Sequence, residues 1–240
     1  MNRLSLTLQA LQHIDGPALT WYGQYRSELT GGAAARWITK AVNLLGGDLS
    51  PALMGEDRPG TYVLDMPCSW QRLMWEVSAW AMGWTQVEVA SEADLVVSDR
   101  ADSGAAIEGA ENGAWVLLHD LAPLAFRWNG AIPDGMLDSL SELMAQSDLV
   151  EVEGSSDRSV AFDEGGAEAE IREAKRVVMK VSRDCCSNGV NDGLSDSAAL
   201  ALRAWLAGTS VVFVDTDASD SSMESIATAE GARIISTENQ

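Results

Sequence analysis

The sequence of 240 residues has few basic residues, since 16 lysines and arginines stand against 36 aspartates and glutamates and the formal net charge is −20. A charge of this sign repels the phosphates of nucleic acids and of anionic lipids at ordinary ionic strength. We therefore expect no nucleic-acid partner and no membrane partner. A bound polyphosphate would need a local cluster of lysines or arginines, and the sequence contains no such cluster.

Cysteines and long apolar runs are also scarce. Apolar runs such as residues 115–118 are far shorter than the roughly 20 residues that span a bilayer, and the N-terminal residues lack the continuous apolar core of a secretion signal. The three cysteines, Cys68, Cys185 and Cys186, do not have the spacing of a disulfide framework. These absences predict a cytoplasmic protein with reduced thiols. A hydrophobic content of 46% predicts a well-buried core.

Apolar periodicity predicts an alternation of helices and strands along the chain. Helices are predicted at residues 3–14, 31–45, 69–82, 136–145, 195–207 and 223–229. Strands are predicted at residues 18–22, 61–66, 87–89, 93–98, 115–119, 176–181, 210–214 and 233–235. The Ala-, Gly- and acid-rich residues 99–113 are expected to form an exposed loop. The order of elements predicts an α/β fold with a doubly wound, mainly parallel sheet and flanking helices.

The helix predicted at residues 69–82 carries three tryptophans, Trp70, Trp75 and Trp80, at intervals of five residues. This spacing distributes them around the helix, so we expect the helix to be buried on several sides. Further along the chain, the acidic and Gly/Ser-rich residues 151–170 predict a flexible boundary. It would separate an α/β core at residues 1–150 from a further α/β segment at residues 171–240, packed on the same domain.

Three stretches of the chain resemble the N-terminal region of the AMP-binding, or adenylate-forming, enzymes, which include acyl-CoA synthetases. The stretches are residues 18–45, residues 63–89 and the Leu-Ala-Gly turn with its strand at residues 204–214. The middle of the chain, residues 116–150, resembles a family of short uncharacterised bacterial proteins that is distantly related to those enzymes. The resemblance implies the fold of the N-terminal subdomain of adenylate-forming enzymes.

The catalytic motifs that this resemblance implies are not matched. Adenylate-forming enzymes hold the triphosphate in a Ser/Thr/Gly loop that ends in Pro-Lys-Gly, because amides and a cation must face the phosphates. The nearest region in chain order, residues 151–158, has no lysine and carries three carboxylates. The downstream motifs and the adenylation lysine would lie past residue 240. We therefore predict no independent adenylation, no catalytic residue and no cofactor.

The adjacent cysteines Cys185 and Cys186 lie in a turn-rich loop after a predicted strand. Arg183 could favour a reactive thiolate there, but neither histidine adjoins the pair in sequence, and ordinary loop cysteines are favoured. Adjacent cysteines also lack the two- to four-residue gap of a zinc site, so no metal is predicted.

The glycines of the same loop, Gly189 and Gly193, could form an anion-binding turn before the helix predicted to begin at Ser195. Neighbouring aspartates at positions 184, 192 and 196 favour simple Asn-Gly and Asp-Gly turns instead.

At the end of the strand predicted at residues 115–119, His119 and Asp120 could act as a base with an orienting carboxylate, although a surface loop histidine is favoured. Most of the nine tryptophans are expected in the core. A subunit contact is left open for Trp128 and Trp205.

Together these observations predict a non-catalytic remnant of an AMP-binding enzyme that acts as a ligand- or protein-binding module. Its ligand would be a small acyl compound or nucleotide, and its protein partner a second copy or another chain. The alternative is a small enzyme of acyl or thioester chemistry that uses Cys185 or His119, or one half of a split acyl-CoA synthetase.

Overall fold

The computed structural model describes residues 2–156, 166–182, 194–215 and 220–235. These residues contain eight α-helices and ten strands. The helices are α1 Arg3–Gln12, α2 Gly31–Gly46, α3 Trp70–Met82, α4 Gly104–Glu111, α5 Ser139–Ala145, α6 Gly166–Glu173, α7 Asp196–Leu206 and α8 Asp220–Glu230. The strands are β1 Pro17–Tyr22, β2 Arg26–Thr30, β3 Thr61–Asp65, β4 Thr85–Gln86, β5 Leu95–Ser98, β6 Trp115–Leu118, β7 Met136–Asp138, β8 Arg176–Val181, β9 Ser210–Asp215 and β10 Arg233–Ile234.

The strands are divided between two five-stranded sheets, with the orders β10-β8-β9-β1-β2 and β4-β3-β5-β6-β7. Within the described strands, β1 and β2 pair antiparallel and all other pairs are parallel. The predicted α/β fold with mainly parallel strands is confirmed, and the division into two sheets is an addition to it. Because β1 pairs with β9, the N-terminal hairpin belongs to the same sheet as the strands after residue 171. The boundary at residues 151–170 stays a prediction.

Helices α2 and α3 lie between the two sheets. One side of the pair packs on the first sheet, in a core that includes Ile38, Leu73, Val77, Val211 and Phe213. The other side packs on the second sheet, in a core that includes Leu45, Trp75, Leu64, Val97 and Leu117. Eleven of the 13 residues of α3 are buried, which confirms the burial on several sides predicted for the tryptophan-bearing helix.

A buried ion pair on α3 links β3 of the second sheet to helix α7. Arg72 Nε donates to Glu76 Oε1 at 2.9 Å, and Arg72 Nη1 donates to the carbonyls of Leu64 and Met66 at the end of β3. The second carboxylate oxygen of Glu76 accepts hydrogen bonds from the hydroxyl and amide of Ser195, the N-cap of α7. These hydrogen bonds fix α3 against both β3 and α7. Removing one partner of the pair would leave an uncompensated buried charge.

Three predicted elements are corrected. Residues 99–113 are not an exposed loop, because Ser103 caps helix α4 by accepting from the amide of Ala106, and Gly109 packs against Val96 of β5. The strand expected at residues 87–89 lies at Thr85–Gln86 instead. The helix expected from residue 136 begins at Ser139, because Asp138 caps it and the preceding residues pair with β6 as strand β7.

None of the helices formed by the described residues is both long enough and apolar enough to cross a membrane.

Candidate functional site

A cleft of about 620 Å³ opens where strands of both sheets end. Gly23 and Asp215 bring the ends of β1 and β9 to it, and Pro67, Asp99 and Asp120 bring the ends of β3, β5 and β6. Ligands of open α/β sheets bind in crevices outside the carboxyl ends of strands, so the position favours a binding site. The described lining residues are Trp21, Gly23, Gln24, Tyr25, Ser27, Pro67, Cys68, Ser69, Trp70, Gln71, Asp99, Asp120, Leu121, Ala122, Pro123, Trp128, Asn129 and Asp215.

Aromatic rings form much of the apolar surface of the cleft. Trp21 is buried against Phe213, with ring centroids 5.4 Å apart, and Trp70 is held edge-on by Trp37 at 5.2 Å. Trp128 is fixed by a hydrogen bond from its Nε1 to the carbonyl of Ala131 at 3.3 Å. Because these rings are held by their neighbours, they provide preformed faces for an apolar or cationic group.

Carboxylates supply the charge of the cleft. Asp99 and Asp120 follow the adjacent parallel strands β5 and β6, and Asp215 ends β9. Burial raises the pKa of Asp99, the charge of Arg100 lowers it and the charge of Asp65 raises it, with a net upward shift. The part of the cleft wall that the structure describes contains no lysine or arginine. The arrangement therefore disfavours a phosphate and favours a hydrogen-bond donor.

Gln71 places an amide group in the wall of the cleft. Gln71 is 6% exposed and lies in the first turn of α3. Ser69 caps this helix by accepting a hydrogen bond from the amide of Arg72 at 3.1 Å. The Nε2 group donates to the carbonyl of Leu121 at 3.3 Å. Among the residues that the structure describes, none donates a hydrogen bond to Gln71 Oε1. The oxygen is therefore left as an acceptor that a ligand in the cleft can use.

His119 is a core residue and does not line the cleft. It is 1% exposed, so the surface position favoured from the sequence is wrong. Trp75 Nε1 donates to its Nδ1 at 3.3 Å, and Ser139 Oγ lies 2.6 Å from the same atom. Since a tryptophan Nε1 only donates, Nδ1 is the acceptor and the ring proton is on Nε2.

The environment of His119 also argues against the role of a base beside Asp120, the alternative considered from the sequence. Burial lowers its pKa to about 4, while the charges of Asp120 and Asp138 act in the opposite direction. Asp120 accepts from the amide of Ala122 at 2.8 Å and makes no hydrogen bond to the imidazole. Within the described residues, the His119–Asp120 pair is therefore not a base with its orienting carboxylate.

The tryptophans mostly occupy the core, as predicted. Trp205 is 1% exposed and donates from Nε1 to the carbonyl of Ala18 at 3.0 Å, so the subunit contact left open for it is wrong. Trp128 is half-buried at the cleft. Five of the nine are buried, namely Trp21, Trp75, Trp80, Trp84 and Trp205.

Of the three cysteines, the structure describes Cys68. Cys185, Cys186, Arg183, Gly189 and Gly193 lie outside the described residues. Cys68 is buried with its Sγ 3.9 Å from Ser197 Oγ, and it borders the cleft. The described part of the chain contains no group of three or more His, Cys, Asp or Glu side chains that could hold a metal ion.

The acidic segment that stands nearest to a phosphate loop in chain order is far from the cleft. Of its residues, 151–156 are described, and Ser155 N donates to the carbonyl of Ala81 at the C-terminal end of α3. The cleft lies at the N-terminal end of the same helix. A helix of 13 residues is about 20 Å long, so these six residues cannot face a ligand in the cleft.

No protein-family model and no curated protein sequence matches this chain. Solved structures do match its fold. An acyl-CoA synthetase from Brucella canis matches with a TM-score of 0.64 at 14% identity, over 98% of this chain and 47% of that one. An acetoacetyl-CoA synthetase from Streptomyces lividans matches with a TM-score of 0.61 at 17% identity, over 97% and 41%. An amide bond synthetase from Marinactinospora thermotolerans matches with a TM-score of 0.55 at 14% identity, over 95% and 47%.

These matches cover nearly all of the chain but less than half of each of these solved proteins. The resemblance seen in residues 18–45, 63–89 and 204–214 is therefore confirmed at the level of the fold. The chain has the fold of a region of the acyl-CoA synthetases and other adenylate-forming enzymes.

Proposed function

We propose that this chain is a non-catalytic binding module, built on the scaffold of an adenylate-forming enzyme, that holds a small molecule in the cleft. The observation that carries the proposal is the composition of the cleft. It offers aromatic faces, and carboxylates at three of the five strand ends, and its described wall contains no lysine or arginine. Adenylation needs cations and backbone amides directed at a triphosphate, whereas this wall supplies negative charge.

The position of the acidic segment supports the same proposal. Residues 151–156 carry Glu151 and Glu153 and contact the C-terminal end of α3, away from the cleft. The net charge of −20 adds a long-range cost to holding a nucleoside triphosphate. We place the module in the cytoplasm, in keeping with the scarcity of cysteine.

The decisive experiment is ATP–pyrophosphate exchange by the purified chain, with a panel of short and long carboxylic acids and with an acyl-CoA synthetase as the positive control. We expect no exchange above the blank without enzyme. Exchange by the chain alone would overturn the proposal in favour of a small enzyme. Exchange that appears only after a second chain is added would overturn it in favour of one half of a split synthetase.

Ligand binding is measured separately, by unfolding the chain in the presence of ATP, AMP, CoA, an acyl-CoA and uncharged or cationic small molecules. A ligand at 100 times its dissociation constant adds about 2.7 kcal/mol to the free energy of unfolding. We expect ATP to give no such gain. If no small molecule stabilises the chain, the cleft is not a ligand site, and a protein partner or a homodimer detected by sedimentation replaces it.

A further inference from the structure

Within this proposed function, we infer that the cleft takes a small organic cation, a primary ammonium group carried on an apolar or aromatic body. An ammonium group has three N–H donors and a full positive charge, so it needs several acceptors that are not already engaged. It also gains from carboxylates and from the faces of aromatic rings. The cleft brings these three kinds of group together.

The acceptors come from three neighbouring strand ends. Asp99 follows β5, Asp120 follows β6, and Gln71 is in the helix that follows β3, on the other side of β5. Adjacent strands lie about 4.8 Å apart, so groups that follow adjacent strands are within reach of one small ligand. The order of the strands therefore gathers the three side chains at one edge of the second sheet.

Each of these side chains has an acceptor that the described residues leave unused. Gln71 is 6% exposed, and its Oε1 receives no hydrogen bond from the described part of the chain. Asp120 uses one oxygen for the amide of Ala122, and no described residue donates to the other. The nearest cation to Asp99 is Arg100, whose Nε is 4.0 Å from Oδ1 and whose side chain is 65% exposed. A ligand with N–H donors would satisfy all three.

The aromatic residues determine what the rest of the ligand is. Trp21, Trp70, Trp128 and Tyr25 line the same cleft, and tryptophan is the ring that attracts a cation most strongly. Rings of this size also bind an apolar body by burial of area. A bare metal ion would leave these faces unused, and an inorganic or carboxylate anion would meet carboxylates and no lysine or arginine in the described wall. The net charge of −20 further raises the local concentration of cations.

The test is a calorimetric titration of the purified chain with three probes that share a 2-phenylethyl body and differ in charge: 2-phenylethylammonium, 2-phenylethanol and 3-phenylpropanoate. We expect the ammonium probe to bind at least about tenfold more tightly than either of the others. A hydrogen bond between charged groups is stronger than a neutral one by enough to change the binding constant by about that factor. Asp99→Asn and Asp120→Asn are each expected to weaken it about tenfold. Asparagine keeps the size of the side chain, and at position 120 it keeps the acceptor for Ala122.

The matched control is Glu111→Gln, which removes one negative charge from an exposed residue at the C-terminal end of α4. Its affinity for the ammonium probe should stay within about twofold of that of the unaltered chain, since a distant exposed charge is largely screened. Gln71→Leu is a second variant that does not depend on charge, and it should weaken the ammonium probe more than 2-phenylethanol.

Equal binding of 3-phenylpropanoate and the ammonium probe would overturn the cation assignment while leaving a ligand-binding cleft in place. The assignment would also be overturned if the Asn variants and Glu111→Gln bound the ammonium probe with equal affinity. Failure of all three probes to bind would overturn it as well, whereas the proposed function itself is decided by pyrophosphate exchange and by the wider ligand panel.

Discussion

At the scale of single residues, the neighbours of His119 determine its chemistry more than its sequence context does. Beside Asp120 at a strand end, it has the context of a catalytic base. In the folded chain, Trp75 and Ser139 contact Nδ1, and Trp37 lies with its ring centroid 6.3 Å away. Burial among these groups penalises the charged imidazolium, so the ring is a neutral part of the core.

The titration of His119 tests this environment. We expect the folded chain to keep the imidazole neutral until the pH falls to about 4, because burial lowers its pKa from the ordinary 6.5. Since the unfolded chain binds this proton first, the contribution of His119 to stability is lost as the pH falls from 6.5 towards 4. Histidine-labelled NMR of a His13→Asn variant, which retains a single histidine, measures the midpoint. A midpoint near the ordinary value would contradict the buried position.

At the scale of elements, glycines decide how closely helices approach their neighbours. Gly31 and Gly32 are the first residues of α2, in the same helical turn. A Cβ atom built on Gly31 would lie 2.0 Å from the backbone carbonyl oxygen of Leu11, near the end of α1, whereas one built on Gly32 meets no atom within 4 Å. The first glycine is therefore required by packing, and the second is not.

The pair Gly31→Ala and Gly32→Ala tests that difference. We expect Gly31→Ala to lower the free energy of unfolding by about 1–3 kcal/mol, because backbone atoms of α1 have to shift. Gly32→Ala is its control and should raise the free energy of unfolding by about 0.4–1 kcal/mol, through the reduced entropy of the unfolded chain. Urea denaturation followed by tryptophan fluorescence measures both. Equal effects of the two substitutions would show that α1 does not pack on α2 in this way.

At the scale of the whole molecule, a charged cluster attaches α8 to the first sheet. Glu230 accepts from the hydroxyl of Tyr22 at 2.5 Å and from Arg26 at 3.0 Å, and it pairs with Arg176. Arg176 also donates to Thr20 Oγ1 at 3.0 Å, so residues from β1, β2 and β8 meet one carboxylate. Burial raises the pKa of Glu230, and the hydrogen bonds and the positive charges lower it, with a net downward shift.

This cluster predicts acid sensitivity. Because the pKa of Glu230 is lower in the folded chain than its ordinary 4.5, the carboxylate stabilises the fold above that pH, and this stability is lost as the pH falls through the folded value. Glu230→Gln should therefore unfold at a lower temperature than the unaltered chain at neutral pH. Its unfolding temperature should also fall less on acidification. The control is Glu224→Gln, exposed on the same helix. Parallel melting curves for the two variants from neutral to acid pH would contradict the prediction.

Much of the fold could be predicted from local patterns. Helix α3, the caps at Thr30 and Ser69, and the strands around Val63 and Val212 follow from apolar periodicity and capping residues. Helix α4 was missed because its alanines and glycines resemble a loop in composition, although they serve close packing on β5. The cleft could not be found from sequence, because Gln71, Asp99, Asp120 and Trp128 are distant in the chain and only strand order brings them together.

The sequence by itself determined the composition of the protein, its excess of carboxylates, the α/β class and most helices and strands, because each of these depends on residues close in the chain. The tertiary structure alone decided that the strands form two sheets, that α2 and α3 are buried between them, and that the strand ends enclose one cleft. It also decided that His119 is buried and Asp99 faces the cleft. Burial and strand pairing depend on contacts between residues far apart in sequence, and local patterns do not determine those contacts.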